Sequence, residues 1–366
     1  MTVGRWGRRP DFDRLHRTLL RQGPPGPVPP IEFLADVQLM EQVVGEKFPV
    51  ESLADLKTCG EAECERACDL IIRFHEQLGH DYVSVLVEVP LDSTYTGLDD
   101  TGGGVTRYWQ DQSRGPIGSW ADFDAYRWPK AEDVNYRPLE YTARHLPEGM
   151  KVIAVCDGVF EWAKAMMGLE TFSFALMDHP DLVEAVCQRV GELTATACKA
   201  IADTPNVGAY FLSDDMGYFT ATLISPKHLR EYIFPWQKML AEIVHAKGLP
   251  FLLHACGNVF GVMDDLIDEV GIDGKHSYED KIRPVEKVME VWGDRMSVLG
   301  GVDMDILARG TEQQVRARTR QILDFCGPRG GYCLGTGNTA ANYVPVANLL
   351  AMLDEGERWN REYFGS

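Results

Sequence analysis

From residue 31 onward, short apolar or β-branched runs alternate with longer segments whose apolar residues recur at helical spacing. That is the pattern of parallel strands joined by crossover helices. Eight runs qualify as strands: residues 31–34, 82–88, 151–155, 208–212, 250–254, 271–275, 296–300 and 331–335. Eight strands close a (β/α)8 barrel. Within 180–202, Leu182, Val183, Val186 and Val190 share one helical face, and Ser225-Pro226 offers an N-cap and an N1 proline to a helix over 226–247. The expected fold is therefore α/β, a (β/α)8 TIM barrel, as a single domain over 1–366 with an N-terminal extension. Residues 22–30, dense in Gly and Pro, read as a loop. Residues 92–138 read as an insertion. It contains Thr101-Gly102-Gly103-Gly104 and Trp109, Trp120 and Trp128, which suit a lid over the site or an elaborated surface loop equally well.

Charge narrows the partners. A formal net charge of −19 opposes approach to a phosphate backbone or an anionic membrane, so neither nucleic acid nor membrane is expected. Arg5, Arg8 and Arg9 near the start are not followed by the apolar stretch of a signal peptide. No run approaches the ~20 apolar residues of a membrane helix, and nine scattered cysteines suit reduced thiols. The expected location is the cytoplasm.

In a barrel of this kind chemistry is done at the C-terminal ends of the strands. Polar residues cluster there: Glu88, Asp157, Asp214 and Asp215, His254 and Cys256, Lys275 and His276, Asp303, Thr336 and Asn338. His254-Ala255-Cys256 is the sharpest signal, because residues two apart at a strand end can turn toward one ion, and imidazole with thiolate is a pairing zinc favours. Cys333 is the expected third ligand, with Asp214, Asp215 or Glu88 as an oxygen donor, or His276 in place of Cys333. Cys256 and Cys333 equally suit small buried core residues. Of the adjacent Asp214 and Asp215 only one can enter the barrel mouth, and Asp215 is favoured. Asp215 and His276 are the expected catalytic residues.

Three segments carry a family resemblance: Leu253-His254-Ala255-Cys256-Gly257-Asn258, Leu299-Gly300-Gly301-Val302-Asp303, and Gly331 to Asn338 ahead of Tyr343-Val344-Pro345. With them the chain resembles the uroporphyrinogen decarboxylase superfamily over nearly its whole length. That superfamily includes tetrapyrrole decarboxylases and zinc methyltransferases that exchange methyl groups between a corrinoid protein and a thiol or methoxylated compound. The decarboxylases' arginine-rich N-terminal motif and pyrrole-binding aspartate have no counterpart here. The methyltransferases' His-x-Cys pair matches His254 and Cys256, while their later cysteine aligns nearer Asn338 than Cys333, which places Asn338 against the cofactor.

The resemblance thus implies a zinc-dependent methyltransferase. A corrinoid (cobalamin) on a partner protein would be its second cofactor and a small molecule its substrate, and a homodimer stays open. The alternative is a metal-free decarboxylase or lyase acting on a small or tetrapyrrole substrate, with Asp215 and His276 as acid and base.

Overall fold

The computed structural model describes residues 6–92, 95–98, 107–110 and 113–365. Seven parallel strands form one curled sheet in the order β1 (Tyr82–Leu86), β4 (Lys151–Asp157), β5 (Val207–Ser213), β6 (Phe251–His254), β7 (Gly274–His276), β8 (Ser297–Leu299) and β9 (Tyr332–Cys333). The missing numbers belong to a separate antiparallel hairpin, β2 (Tyr95–Leu98) with β3 (Arg107–Gln110), inside the 92–138 insertion. Thr101 to Gly104 lie outside the described residues, as does the Trp109 side chain.

Helices follow the strands in the expected alternation, among them Val159–Met167 and Pro180–Ala202 after β4, Phe234–His245 after β5, Val285–Trp292 after β7 and Glu312–Cys326 after β8. No described helix is long and apolar enough to cross a membrane.

The eighth expected strand, residues 31–34, does not form a ladder. It touches the end of β9 by isolated parallel bridges, Pro30 with Leu334 and Ala35 with Ala340. On its other side side chains do the work: the Tyr82 hydroxyl receives the Glu32 N–H at 2.5 Å and donates to the Glu32 carbonyl at 2.8 Å. Pro29 and Pro30, which lack N–H groups, shorten any ladder here.

Alternation along each strand sorts side chains into two apolar layers, because both faces of a parallel sheet are covered. Val152, Ala154, Tyr210, Leu212, Phe251 and Leu253 pack under the helices. Ile153, Val155, Ala209, Phe211, Leu252, Leu299 and Cys333 fill the interior. The interior is floored by the N-terminal helix α1 (Phe12–Leu19), whose Phe12, Leu15 and Leu19 lie on one helical face and belong to the same cluster. Filling the lower interior of the curled sheet in this way leaves the C-terminal ends of the strands as the place for polar groups.

Candidate metal and active site

β6 ends at His254 and the chain turns through Ala255-Cys256-Gly257. This turn needs Gly257: its φ is +73°, and a Cβ there would lie 2.4 Å from the backbone of Gly217 in the loop after β5. Close backbone approach brings the ends of β5 and β6 together. Asp215 accepts the Cys256 N–H at 2.8 Å, and Asp214 N–H donates to the His254 carbonyl at 2.9 Å. Asp215, His254 and Cys256 thereby offer three ligand atoms within 4.8 Å of one another.

Their spacing suits a tetrahedral ion. His254 Nε2 stands 3.3 Å from Cys256 Sγ and 3.7 Å from an Asp215 carboxylate oxygen. Donors about 2.0–2.3 Å from zinc at tetrahedral angles are separated by roughly 3.3–3.8 Å. One imidazole, one thiolate and one carboxylate leave a fourth position free, as catalytic zinc sites do.

The hydrogen bonds behind His254 determine which of its nitrogens faces the group. His276 Nε2 lies 3.0 Å from the Thr336 carbonyl, an acceptor only, so that nitrogen carries the proton. Neutral His276 then has a bare Nδ1, which faces His254 Nδ1 at 2.8 Å and receives its N–H. His254 Nε2 is left with its lone pair toward Cys256 and Asp215, the form a ligand requires. Both rings are neutral: burial, with Lys275 adding to it against the pull of Asp215, holds His254 down at about 4, and burial together with His254 holds His276 well below the usual imidazole range. Phe33 stacks on His254, with ring centroids 4.0 Å apart and planes 11° apart. Gly300, at φ +75°, lets the chain pass where a Cβ would strike both the His276 ring and the Thr336 carbonyl.

Around Cys256 two donors face the sulfur: Asn338 Nδ2 at 3.2 Å and Ser277 Oγ at 3.5 Å. Burial and the neighbouring Asp215 push the thiol up, so the group meets an ion as SH and binding must displace its proton. At Asp215 burial favours the neutral acid, yet the Lys164 ammonium and the Cys256 N–H draw it the other way and the net direction is downward. Beneath the site Lys275 is fully buried and donates to three carbonyls, those of Ala255, His276 and Ser277, at 2.8–3.0 Å. This ammonium ties the ends of β6 and β7 together and holds Ser277 at its positive φ of +82°.

The expected site residues separate as follows. Asp215, His254, Cys256 and Asn338 come together. Asp214 turns the other way, into the helical layer, where it accepts the Glu161 N–H at 2.8 Å and a Gln237 amide N–H at 2.7 Å. Glu88 is buried near Lys57, at 3.8 Å, outside the ligand group. His276 lies behind His254 with no exposed surface and both ring nitrogens engaged, which corrects its expected place among groups open to substrate.

Cys333 does not join the ligand group. It packs in the interior with Phe12, Leu15 and Leu19. In register His254 pairs with His276, His276 with Leu299 and Leu299 with Cys333. Three such steps of register bring Cys333 to the α1 floor of the curled sheet. Five residues further on, Asn338 has climbed back to Cys256.

Sequence reasoning missed Phe33 altogether, and it placed Lys275, Ser277 and Thr336 at strand ends without giving them a task. Their contacts are made by register and tertiary packing, and no local pattern marks them. Trp120 and Trp128 pack outward: Trp120 Nε1 donates to Asp181 at 3.1 Å, and Trp128 sits against Phe123, Tyr126 and Arg189.

Residues 65–359 match the family model described as uroporphyrinogen decarboxylase (URO-D). No curated protein matches the sequence. Among solved structures, a methyltransferase from Methanosarcina mazei is similar at 19% identity and TM-score 0.66, covering 94% of this chain and 98% of that one. A putative vitamin-B12 independent methionine synthase from Listeria monocytogenes is similar at 12% identity and TM-score 0.53, covering 94% of this chain and 100% of that one. At these identities the likeness is one of fold.

Proposed function

The chain belongs to the uroporphyrinogen decarboxylase family, and from that premise we propose that it is a zinc-dependent methyltransferase moving a methyl group between a corrinoid on a partner protein and a small thiol or methoxylated compound. The observation that carries this reading is the Asp215–His254–Cys256 group, three ligand atoms within 4.8 Å of one another. The two structural neighbours, a methyltransferase and a putative vitamin-B12 independent methionine synthase, are both named for methyl transfer. The proposal takes residues 31–34 as the strand that closes the barrel, and the whole chain as one domain working in the cytoplasm.

Zinc held there would supply Lewis acidity, lowering the pKa of a substrate thiol or polarising a methoxy oxygen. The chain's own residues have separate tasks. His254 presents the Nε2 lone pair, and His276 with the Thr336 carbonyl keeps it presented. Asn338 and Ser277 donate to the Cys256 sulfur and favour its thiolate. Asp215 adds negative charge and, through the Cys256 N–H, fixes the turn that carries the thiol. Phe33 and the apolar layer below exclude water from the inner side of His254, which strengthens each polar contact.

The metal-free lyase alternative asks His276 to exchange a proton with substrate. Its burial and its two occupied nitrogens leave it no route to one.

Elemental analysis of the purified protein tests the proposal. About one zinc per chain is expected, lost in His254→Ala and Cys256→Ser and kept in Cys333→Ser. A chain that folds normally and takes up no metal when zinc is supplied under reducing conditions would exclude it.

A further inference from the structure

At the other end of the barrel lies a cavity of about 580 Å³, in the size range of small-molecule pockets. Tyr332 at the start of β9 and the outer face of α1 form part of its wall. Four arginines line it, Arg14, Arg17, Arg21 and Arg329, against a single acid, Asp11. In a chain of net charge −19 this is a local reversal of sign. Asp11 does little to neutralise it, since its side chain caps α1 by accepting the Arg14 N–H at 3.1 Å.

Arg14 and Arg17 lie one turn apart on the side of α1 opposite Phe12, Leu15 and Leu19, and Arg21 follows just past the helix end. Like charges so spaced repel unless something negative lies between them. Arg14 is paired with the buried Asp81, and its Nε–H is buried without a partner. Arg17 is exposed and has no side-chain partner among the described residues.

Arg21 sits at φ +53°, an unfavourable backbone for a non-glycine residue, with its guanidinium laid on the Gly330 and Arg329 carbonyls at 2.9 and 3.4 Å and the exposed Asp294 carboxylate only loosely paired with it at 4.0 Å. Gly331 makes room for it, as a Cβ there would collide with the guanidinium. Arg329 stacks on Phe325 at 3.7 Å. The opposite wall includes Pro24, Pro25, Pro27 and Pro29, which offer no N–H, and the guanidinium groups are the cavity's charged donors.

We infer that this cavity binds a small polyanion, a molecule bearing two or more phosphate groups, gripped by Arg14, Arg17, Arg21 and Arg329. Guanidinium forks match phosphate oxygens in geometry as well as charge. The site lies on the face away from Cys256 and stands whether or not the methyl-transfer reading does.

Calorimetric titration with inorganic pyrophosphate and, separately, inorganic phosphate tests it. Pyrophosphate should bind more tightly than phosphate, and more weakly as NaCl is raised. Arg17→Ala and Arg329→Ala, both at exposed positions, should each weaken binding by about tenfold. Arg309→Ala, an exposed arginine on another helix, should leave it unchanged. Absence of binding at millimolar pyrophosphate would overturn the inference, as would equal weakening by Arg309→Ala. So would binding that survives the Arg17→Ala/Arg329→Ala double variant but disappears in Cys256→Ser, which would put the anion at the other mouth.

Discussion

His254 and His276 meet Nδ1 to Nδ1 at 2.8 Å, and the Thr336 carbonyl 3.0 Å from the far side of His276 gives the pair its direction. Two rings and one carbonyl thus settle a tautomer that His254 alone would leave open.

Replacing His276 by Gln should disturb that direction, since its amide can either donate or accept toward His254. Metal affinity, read by competition with a chromophoric chelator, should fall by about 10- to 100-fold while far-UV circular dichroism is unchanged. An affinity within twofold of the parent would show that His254 needs no support from behind.

Asn338 stands 3.2 Å from the Cys256 sulfur, where a further soft donor would adjoin the ligand group. Asn338→Cys should therefore tighten zinc binding by at least about tenfold under reducing conditions, because thiolate is a preferred zinc ligand. Unchanged affinity in the same chelator titration would place residue 338 outside the reach of the ion.

Cys333 is a packing residue on the structure's evidence. Cys333→Ala should lower unfolding free energy by about 1 kcal/mol, seen as a shifted urea midpoint, with zinc content unaltered. Loss of metal from a folded Cys333→Ala protein would return it to the ligand set.

Glu32 provides a pH dependence away from the metal ligands. Burial pushes its carboxyl up to about 8, although the Thr336 N–H and hydroxyl pull the other way. Below about pH 4.5 the acid is protonated folded or unfolded and contributes nothing. Between about 4.5 and 8 the unfolded chain ionises while the folded one resists, so stability falls with rising pH, and above about 8 the loss is complete. Glu32→Gln should remove that slope, gaining on the parent by an amount on the order of a few kcal/mol between pH 5 and 8.5 in urea titrations. Parallel stability curves for the two proteins would show that the Glu32 carboxyl ionises inside the fold.

The sequence made the α/β alternation and seven of the eight strands readable because each strand is a continuous apolar run buried on both faces. Residues 31–34 carry the same pattern but pair through bridges and the Tyr82 hydroxyl, a partner 50 positions away that no local periodicity reveals. At the site, His254 and Cys256 drew attention by their spacing, and strand alternation admitted only one of Asp214 and Asp215 without fixing which. Cys333 misled because chemistry alone does not report how deep in the sheet's interior a side chain lies. Lys275 looked like any polar residue at a strand end, and only the fold shows it enclosed by three carbonyls.

The floor formed by α1 also bears on how the molecule assembles. Leu15 and Cys333 belong to one interior cluster although they stand near opposite ends of the chain. That layer cannot be completed until the last strand exists, so during synthesis the first helix waits, its apolar face uncovered, for most of the chain to emerge. Cutting the chain just after this helix should let water into the sheet's interior from below while leaving the ligand-bearing loops at the other end of the strands intact.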